Sequence, residues 1–595
     1  MTEKIYGIDL GTTNSCLAVL DGNPRIIPID DNGIVPSVVS FDDANIIVGR
    51  RALNRSLAYP EQSARSIKRL MGTNEEIKIN KKSYQPEEIS SMILDYLRQE
   101  AKRIEGVDVK RVVITVPAYF SEAQRRATMK AGQLAGLTVE RIINEPTAAA
   151  LFYDLISVGS QESPWKFALV YDLGGGTFDV SVLRMEGIIE VLASTGDTHL
   201  GGDDFDERLT QLFLRTIKEE RGEDLSQHRP ALARLNSVAE KAKIELSTRG
   251  VTRVEESAIS GPGRGNFSLE MELTRGQFES LTEDLVDNSL KFVHQALNEA
   301  GLKPQDIDRV LLVGGMSRMP IVAEKLSAIF GKAQLPVVDP DLSVAKGAAV
   351  QGGLITGENV DQVLIDVTAH SLSLMADNAN HIAECVPIIP RNTPIPSTRS
   401  QLFSSVGGFQ KMGLLAVFQG ESTKPRENEF IGYTPFYLKE VSERTPIEVE
   451  FSYDINGMIH VIAEQKGHKR RLEVDLDSRN PFTDENGPKV IDDWSALTKA
   501  WVQSGLNDDD DDDDDDDRDD HNEDNADDQT RNESDPIQWN FVLKRARVLI
   551  ESMEPGEKLD QLTKLVTRYS QALKDDADEV DELEDEILSF METLE

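Results

Sequence analysis

Gly7-Ile-Asp-Leu-Gly-Thr-Thr-Asn14 and Tyr171-Asp-Leu-Gly-Gly-Gly-Thr-Phe-Asp179 decide how this chain reads. Each follows from an apolar run, Ile5–Leu10 or Phe167–Asp172, with the pattern of a buried strand. Each places an aspartate, Asp9 or Asp172, at the strand end with glycine and threonine directly after it. Glycine lets a backbone approach a ligand and turn several N–H groups toward it, and such concavities bind anions, phosphate above all. One glycine-rich turn is more often structural than functional. Two of them, each carrying a strand-end carboxylate, suit a hydrated Mg2+ bridging nucleotide phosphates. A third turn, Leu312-Val-Gly-Gly-Met-Ser-Arg318, follows the apolar run Arg309–Val313. Neither of the first two fits the Gly-x-x-x-x-Gly-Lys-Ser/Thr loop, and the dinucleotide fingerprint does not fit the first strand.

Around these turns, residues 1 to 357 alternate short β-rich runs, Arg111–Val116 among them, with helical patterns, which predicts layered α/β structure. Residues 363 to 476 differ. Short alternating runs such as Ser400–Phe403, Leu414–Gln419, Glu448–Tyr453 and Met458–Ala463 are separated by Gly, Pro and Asn, the pattern of an antiparallel β unit. Gly357–Asp366 between them reads as a linker, polar and then apolar. Farther on, Asp508–Asp517 is unbroken and is followed by Asp519, Asp520, Glu523, Asp524, Asp527 and Asp528, with Arg518 the only base. Like charges in a row repel and bury nothing, so a disordered, solvated boundary is expected. Weak calcium binding and capture of a basic partner are the sharper alternatives, but calcium sites need spaced ligands and a glycine turn. Beyond the tract, apolar residues recur at helical spacing in three sets, Trp539 to Met553, Leu559 to Leu573 and Val580 to Leu594, which predicts a small helical bundle.

Length and charge bound the rest. The 595 residues suit about four units of ordinary domain size. There are 104 acidic and 64 basic residues, a net charge of −40, so nucleic acid and anionic membrane surfaces are poor partners. No apolar run approaches the roughly 18–20 residues of a membrane span, and the first ten residues lack the zones of a signal peptide. Cys16 and Cys385 are the only cysteines, which excludes a disulfide framework and a four-thiolate zinc site. A reducing cytosol is the expected compartment.

The segments IYGIDLGTTNSCLAV, VVITVPAYFSEAQRRAT, RIINEPTAAAL, LVYDLGGGTFDVSVL, LGGDDFD, AEKAKIELS, VLLVGGMSRMP and AKGAAVQGG stand in order across residues 1–357. The two phosphate turns resemble the duplicated actin, sugar-kinase and heat-shock ATPase fold, and the ordered set resembles the seventy-kilodalton heat-shock (DnaK-type) chaperone family. SYDINGMIHV, PIIPRNTPIP and a shortened C-terminal end are closest to the divergent bacterial HscC type. The resemblance implies a two-lobed actin-like ATPase domain (1–357) and a linker (358–366). It further implies a β-sandwich-like peptide-binding domain (367–480), a linker with the Asp tract (481–536) and a short helical lid (537–595). The implied function is an ATP-dependent chaperone, a stress-response ATP hydrolase. Its ATPase cycle would switch the affinity for extended polypeptide segments, with a specialised client range.

By matched position, Asp9 and Asp172 would hold Mg2+ through its waters, with K+ as an optional second cation. Gly11, Thr12, Thr13, Asn14, Gly174, Gly175, Gly176, Thr177, Gly201 and Gly202 would surround the phosphates. Lys68 would reach the γ-phosphate, and Glu145 and Asp179 would orient the attacking water or accept its proton, with Thr177 assisting. Glu240, Lys243 and Ser247 would hold adenosine from one side, and Gly314, Gly315, Met316, Arg318 and Asp341 from the other. Phosphoryl transfer needs in-line positioning and charge neutralisation, which this set can supply. Without the resemblance, Lys68 among Arg65 and Arg69 reads better as a solvated basic face, and Glu145 before Pro146 as a helix-start acid.

Pro117 and Arg125 correspond to the family's relay from nucleotide to surface, and Arg141, Asn144 and Asp366 to its contacts with a J-domain co-chaperone. A nucleotide-exchange factor is a further implied partner. The apolar linker Val363–Asp366 is one residue shorter than the family pattern. In the β unit, alignment on Gln419-Gly-Glu421 puts Gly413 at the floor of the peptide pocket, and alignment on Asp366-Val-Thr368 puts Asp377 in the arch above it, both positions apolar in the family. A widened pocket with a carboxylate nearby would disfavour acidic peptides; local gaps that shift either alignment are the competing explanation. The C-terminal Met-Glu-Thr-Leu-Glu595 lacks the Glu-Glu-Val-Asp tail of eukaryotic cytosolic relatives, so a bacterial cytoplasm is expected. A sugar kinase on the same fold would leave the β unit and helical tail unused. A nucleotide-regulated interaction or filament protein would have no use for the water-positioning residues.

Overall fold

Two strand–turn–strand units of one plan build the N-terminal half. Ile5–Leu10 (β1) runs antiparallel to Asn14–Asp21 (β2), which turns back into Asn23–Ile26 (β3). Arg111–Val116 (β4) lies parallel on the open side of β1 and Thr138–Asn144 (β5) parallel to β4, giving the order β5-β4-β1-β2-β3. The plan recurs. Phe167–Leu173 (β6), Phe178–Arg184 (β7) and Ile189–Asp197 (β8) are successive antiparallel strands, and Arg309–Val313 (β9) lies parallel on the open side of β6, giving β9-β6-β7-β8. This is a computed structural model that describes residues 4–42, 45–157, 165–185, 188–260, 266–331, 339–358, 363–377, 383–405, 412–437, 446–465, 471–474, 483–484, 487–488, 557–574, 583 and 587. The Asp tract, the helix expected at 539–553 and most of the set at 580–594 lie outside these residues.

β1 and β6 are central and covered on both faces, which is why their sequences are almost continuously apolar up to Asp9 and Asp172. The helices that position the site pack on these sheets. Glu122–Leu134 (α1) starts at Ser121, whose N–H donates to the Gln124 carboxamide at 2.9 Å in a capping box. Glu145–Ser157 (α2) begins directly at the end of β5. Gly202–Arg221 (α3) and Arg229–Thr248 (α4) bury Phe205, Leu209, Phe213, Leu235, Ala239 and Leu246 in the core beneath the second sheet, together with Phe278 and Val286 of Arg275–Glu299 (α5). Ser343–Thr356 (α6) is buried along most of its length, and its run of Ala and Gly lets it lie close against β1 and α2.

Leu364–Val367 (β10), where the linker is expected, is a strand. It pairs parallel with β8 through Ile189 and Glu190, and antiparallel with the short strand Pro394–Ile395. It thus stitches the second sheet to a sandwich built of Leu372–Asp377 (β11), Ala383–Ile389 (β12), Ser397–Ser404 (β13), Met412–Gln419 (β14), Glu429–Tyr437 (β15), Pro446–Tyr453 (β16), Ile459–Gln465 (β17) and Arg471–Val474 (β18). The sheets are β12-β11-β14-β15 and β13-β16-β17-β18. Strict alternation on β16 sends Ile447, Val449, Phe451 and Tyr453 into a core shared with Leu372, Leu374, Leu415, Val417 and Ile431 of the other sheet. In a separate compact unit, Glu557–Lys574 (α7) is the expected amphipathic helix and buries Leu562, Val566 and Tyr569 along one face. Among the described residues no helix is long and apolar enough to cross a membrane.

Candidate active site

The strand ends of β1, β6 and β9 and the turns after them open onto one cavity of about 310 Å³ between the two sheets. Asp9, Gly11, Thr12, Thr13 and Asn14 line it from the first sheet, and Asp172, Gly174, Gly175 and Thr177 from the second. Lys68 and Glu145 face it from the first lobe. Glu240, Lys243 and Ser247 of α4 form one side with Gly202, while Gly314, Gly315, Met316, Arg318 and Asp341 form another. Of the residues singled out in the sequence, Gly176, Gly201 and Asp179 do not line the cavity. The first two sit behind it in mutual contact, where a Cβ on Gly201 would come 2.5 Å from the Gly176 nitrogen. Asp179 is fully buried at the back, its Oδ1 accepting the Tyr119 N–H at 3.0 Å.

Sequence reasoning missed the apolar part of the wall, Ile34, Ile244, Val313, Pro340 and Val344. Ile244 carried a signal: it is an isoleucine beside Lys243 on α4, and it stays 60% exposed at the rim, where the flat face of a base could cover it. The others are core-like in sequence and carry none.

Charge in the cavity is unbalanced. Lys68 is 6% exposed and paired with Glu145, so the solvated-face reading of this lysine does not hold; its burial requires a partner, which Glu145 provides. Glu145 is at once the first residue of α2 and a cavity carboxylate, so the helix-start reading and the functional one are compatible. Burial, and then Glu145, push Asp9 up to about 7, and the same two causes push Asp179 up to about 7. Asp172 is held well above the usual carboxylate range by burial, then by Glu145, Asp179 and Asp9. Burial works against the Lys68 cation, yet Glu145, Asp9 and Asp172 together keep it above the ordinary lysine value. Around Lys68, Asp9, Glu145 and Asp172 line the cavity and Asp179 lies behind it, which leaves room for added positive charge. Among the described residues no group of three His, Cys, Asp or Glu could hold a metal ion by itself. A cation there must share its coordination with water and a ligand's oxygens.

Several contacts cross the cleft from the segment around Lys68. Arg65 pairs with Glu240 at 3.2 Å, Ser66 Oγ donates to Asp203 at 2.7 Å, and Arg69 Nε donates to the Gly176 carbonyl at 3.0 Å. Elsewhere on the cavity wall Lys243 pairs with Asp206, and Arg318 with Asp341, each at 2.7 Å. Thr115 Oγ1 donates to Asp9 at 3.2 Å and fixes its carboxylate.

A family model described as "Hsp70 protein" matches residues 5–594. The chain belongs to the Hsp70 family. It is 44% identical over 503 residues to the DnaK chaperones of Thermotoga petrophila and Thermotoga maritima, covering 82% of this chain and 83% of theirs. Against the DnaK chaperone of Mycoplasma mobile the identity is 45% over 497 residues, 82% of this chain and 81% of the relative. This Hsp70 is therefore an ATP-dependent chaperone and an ATP hydrolase, with the expected actin-like ATPase and β-sandwich. The sugar-kinase and filament readings are not favoured.

In this Hsp70 Arg125, Asn144, Thr147 and Asp366 meet in one buried cluster. Asp366 Oδ2 accepts from Asn144 Nδ2 at 2.9 Å and from Thr147 Oγ1 at 3.1 Å, and Asn144 Oδ1 accepts from Arg125 Nη2 at 2.5 Å. Arg125 also reaches the carbonyls of Ala118 and Phe120, at the turn begun by Pro117. Arg141 lies apart from these bonds, its Nε buried without a hydrogen-bond partner among the described residues. Glu145 and Thr147 share the first turn of α2, so an acid facing the nucleotide cavity and a hydroxyl holding the linker sit two residues apart.

Proposed function

We propose that hydrolysis in this Hsp70 is carried by the matched residues. Lys68 neutralises charge on the terminal phosphate, Glu145 and Asp179 orient the attacking water and take its proton, and Thr177 donates to the phosphate it faces. Asp9 and Asp172 would hold Mg2+, which would offset phosphate charge, and K+ would be an optional second cation. The phosphate-side glycines and threonines (Gly11 to Asn14, Gly174 to Gly176, Gly201 and Gly202) present backbone N–H and hydroxyl groups. Glu240, Lys243, Ser247, Gly314 to Met316, Arg318 and Asp341 hold the nucleoside, with Ile244 against the base. The observation that carries the reading is the convergence of Lys68 and Glu145 from one lobe with Asp172 and Thr177 from the other on a single cavity. With Mg2+-ATP, addition of reduced, carboxymethylated α-lactalbumin is expected to raise turnover several-fold; unchanged turnover together with no binding of that unfolded chain would remove the coupling between sites.

The proposed division is an ATPase domain over 1–357, a linker over 358–366, a peptide-binding domain over 367–480, an Asp-tract linker over 481–536 and a lid over 537–595. Arg141, Asn144 and Asp366 are the proposed J-domain contacts, with an exchange factor as second partner and a bacterial cytoplasm as the compartment. The HscC likeness rests on SYDINGMIHV and PIIPRNTPIP, whereas the relatives compared are DnaK chaperones.

A specialised client range follows from Gly413. Alternation on β14 sets position 413 on the face of Leu415 and Val417, both in the sandwich core, so the site where a pocket floor would stand has no side chain. Gly413→Val should change affinity for a leucine-centred peptide about tenfold, the order of burying one valine side chain. Fluorescence anisotropy of a labelled peptide measures it, and a change below twofold would place the pocket floor elsewhere.

A further inference from the structure

Tyr119 is gripped from two sides through its main chain. Its N–H donates to Asp179 Oδ1 at 3.0 Å, beside a second backbone hydrogen bond to the same carboxylate from Ala118. Its carbonyl oxygen, 3.0 Å from His370 Nε2, can only accept. The ring nitrogen therefore carries the proton, and the neutral ring leaves Nδ1 bare. His370 comes from the turn between β10 and β11, so it belongs to the sandwich and not to the ATPase half. Its ring also lies tilted over the Tyr119 ring, with centroids 4.1 Å apart. A side chain of the peptide-binding half and a carboxylate behind the nucleotide cavity thus share one residue.

We propose that His370 is a positioning residue: its Nε2–H ties docking of the sandwich to Asp179 through the Tyr119 main chain, and charging the ring at Nδ1, which leaves that bond in place, weakens docking because the docked ring faces Arg391 and Arg125.

The charged and titratable groups facing the ring are Glu421 from the turn after β14, Arg391 from the turn after β12, Arg125 of α1 and the Tyr119 phenol. Burial is the largest influence and holds His370 below its ordinary 6.5; Arg391 and Arg125 push the same way, while the Tyr119 carbonyl and Glu421 oppose without cancelling it. Glu421 is itself engaged, accepting from the Ser371 N–H at 2.9 Å and the Ser371 hydroxyl at 2.7 Å. Once the sandwich leaves, the ring meets water and titrates near its ordinary value. The sign follows. Above that value the ring is neutral in both states and docking has its full strength. As pH falls below it, only the undocked ring takes a proton, and docking weakens by up to about tenfold per pH unit until the lowered docked value is reached.

The test uses the full-length chain with ATP. Amide hydrogen exchange of segment 364–367 is compared at about pH 7.5 and pH 5.8 for wild type, His370→Gln, which keeps an N–H donor but does not titrate, and His370→Leu, which has none. The wild-type to Gln ratio at each pH cancels the intrinsic pH dependence of exchange. A ratio near one at the higher pH, rising about three- to sixfold at the lower, is expected. His370→Leu should exchange faster than both at either pH, with thermal melts showing it folded. A ratio of one at both pH values overturns the effect of charging the ring. Steady-state turnover adds a second arm: because Asp179 does not line the nucleotide cavity, His370→Leu should alter kcat at least threefold and leave KM for ATP within twofold. That arm rests on the role proposed for Asp179 and the exchange arm does not. Altered exchange with unchanged kcat overturns the route through Asp179, and unchanged exchange for His370→Leu overturns the docking role.

Discussion

Lys68→Ala is expected to cut ATP hydrolysis at least a hundredfold while ATP still binds. The ammonium lines the cavity together with the strand-end carboxylates Asp9 and Asp172, where the phosphates are proposed to lie, and it is held there by a buried pair with Glu145. Charge that develops on a transferring phosphoryl group in a closed, low-dielectric site is stabilised by such a fixed cation, and removing one group of this kind costs roughly 10²–10³ in rate. In the proposed assignment nucleotide binding draws on a separate set, Glu240, Lys243, Ser247 and Arg318, which line the same cavity and pair with groups other than Glu145 where ion pairs are seen, Lys243 with Asp206 and Arg318 with Asp341. Truncation also strands Glu145 as a buried carboxylate beside three others, so the variant needs a folding control by thermal melt. Single-turnover hydrolysis and equilibrium ATP titration on one preparation decide the matter. Hydrolysis within tenfold of wild type, or loss of ATP binding by a folded variant, would remove Lys68 from its assigned place. Thr177→Ala should follow the same pattern, since Thr177 is buried and lines the same cavity.

What made the site readable was local. The Asp-Leu-Gly turns after β1 and β6 carry strand, turn and carboxylate within eight or nine residues, and a duplicated local pattern survives translation into a duplicated fold. Lys68 shows the limit of such reading. Its neighbours Arg65 and Arg69 make it look like part of a solvated face, because the carboxylate that justifies its burial lies 77 residues away. Arg65 and Arg69 are spent instead on Glu240, Asp204 and the Gly176 carbonyl, across the cleft. The linker illustrates the same point. Val363–Asp366 reads as a short apolar tether, yet its last residues form a strand paired with β8, a fact set by a partner edge no local pattern reveals. The contacts between sandwich and ATPase half were illegible for this reason: Gln419 accepting the Glu122 N–H, Asn456 accepting the Ile142 N–H and Arg391 reaching the Ser194 carbonyl join residues far apart in sequence.

Asp366→Ala should abolish communication between the two halves while leaving each half folded. The carboxylate accepts from Asn144 and Thr147 with one oxygen and from the Val367 N–H with the other, and it is 6% exposed. Its charge also supports Arg125, which burial drives below its ordinary value and Asp366 holds up. Removing one member of such a buried set leaves the Asn144 amide, the Thr147 hydroxyl and the Val367 N–H without their acceptor and the Arg125 guanidinium without its nearby charge, a cost of about 3–5 kcal/mol. That cost falls only on the docked arrangement, because in the undocked one water satisfies these groups. A shift of that size moves the docking equilibrium by more than a hundredfold. Stimulation of ATP turnover by reduced, carboxymethylated α-lactalbumin should therefore drop to within about 20% of no effect, and the 364–367 amides of the ATP-bound chain should exchange as fast as those of the ADP-bound chain. The assay contains no J-domain protein, so a lost co-chaperone contact cannot account for the result. Asp366→Asn separates charge from geometry: it keeps an acceptor for Asn144 and Thr147 but not the charge near Arg125, and should retain part of the stimulation. Stimulation of the alanine variant within twofold of wild type would mean that the halves communicate by another route, for which Gln419–Glu122, Asn456–Ile142, His370–Tyr119 and Arg391–Glu299 are further bridges.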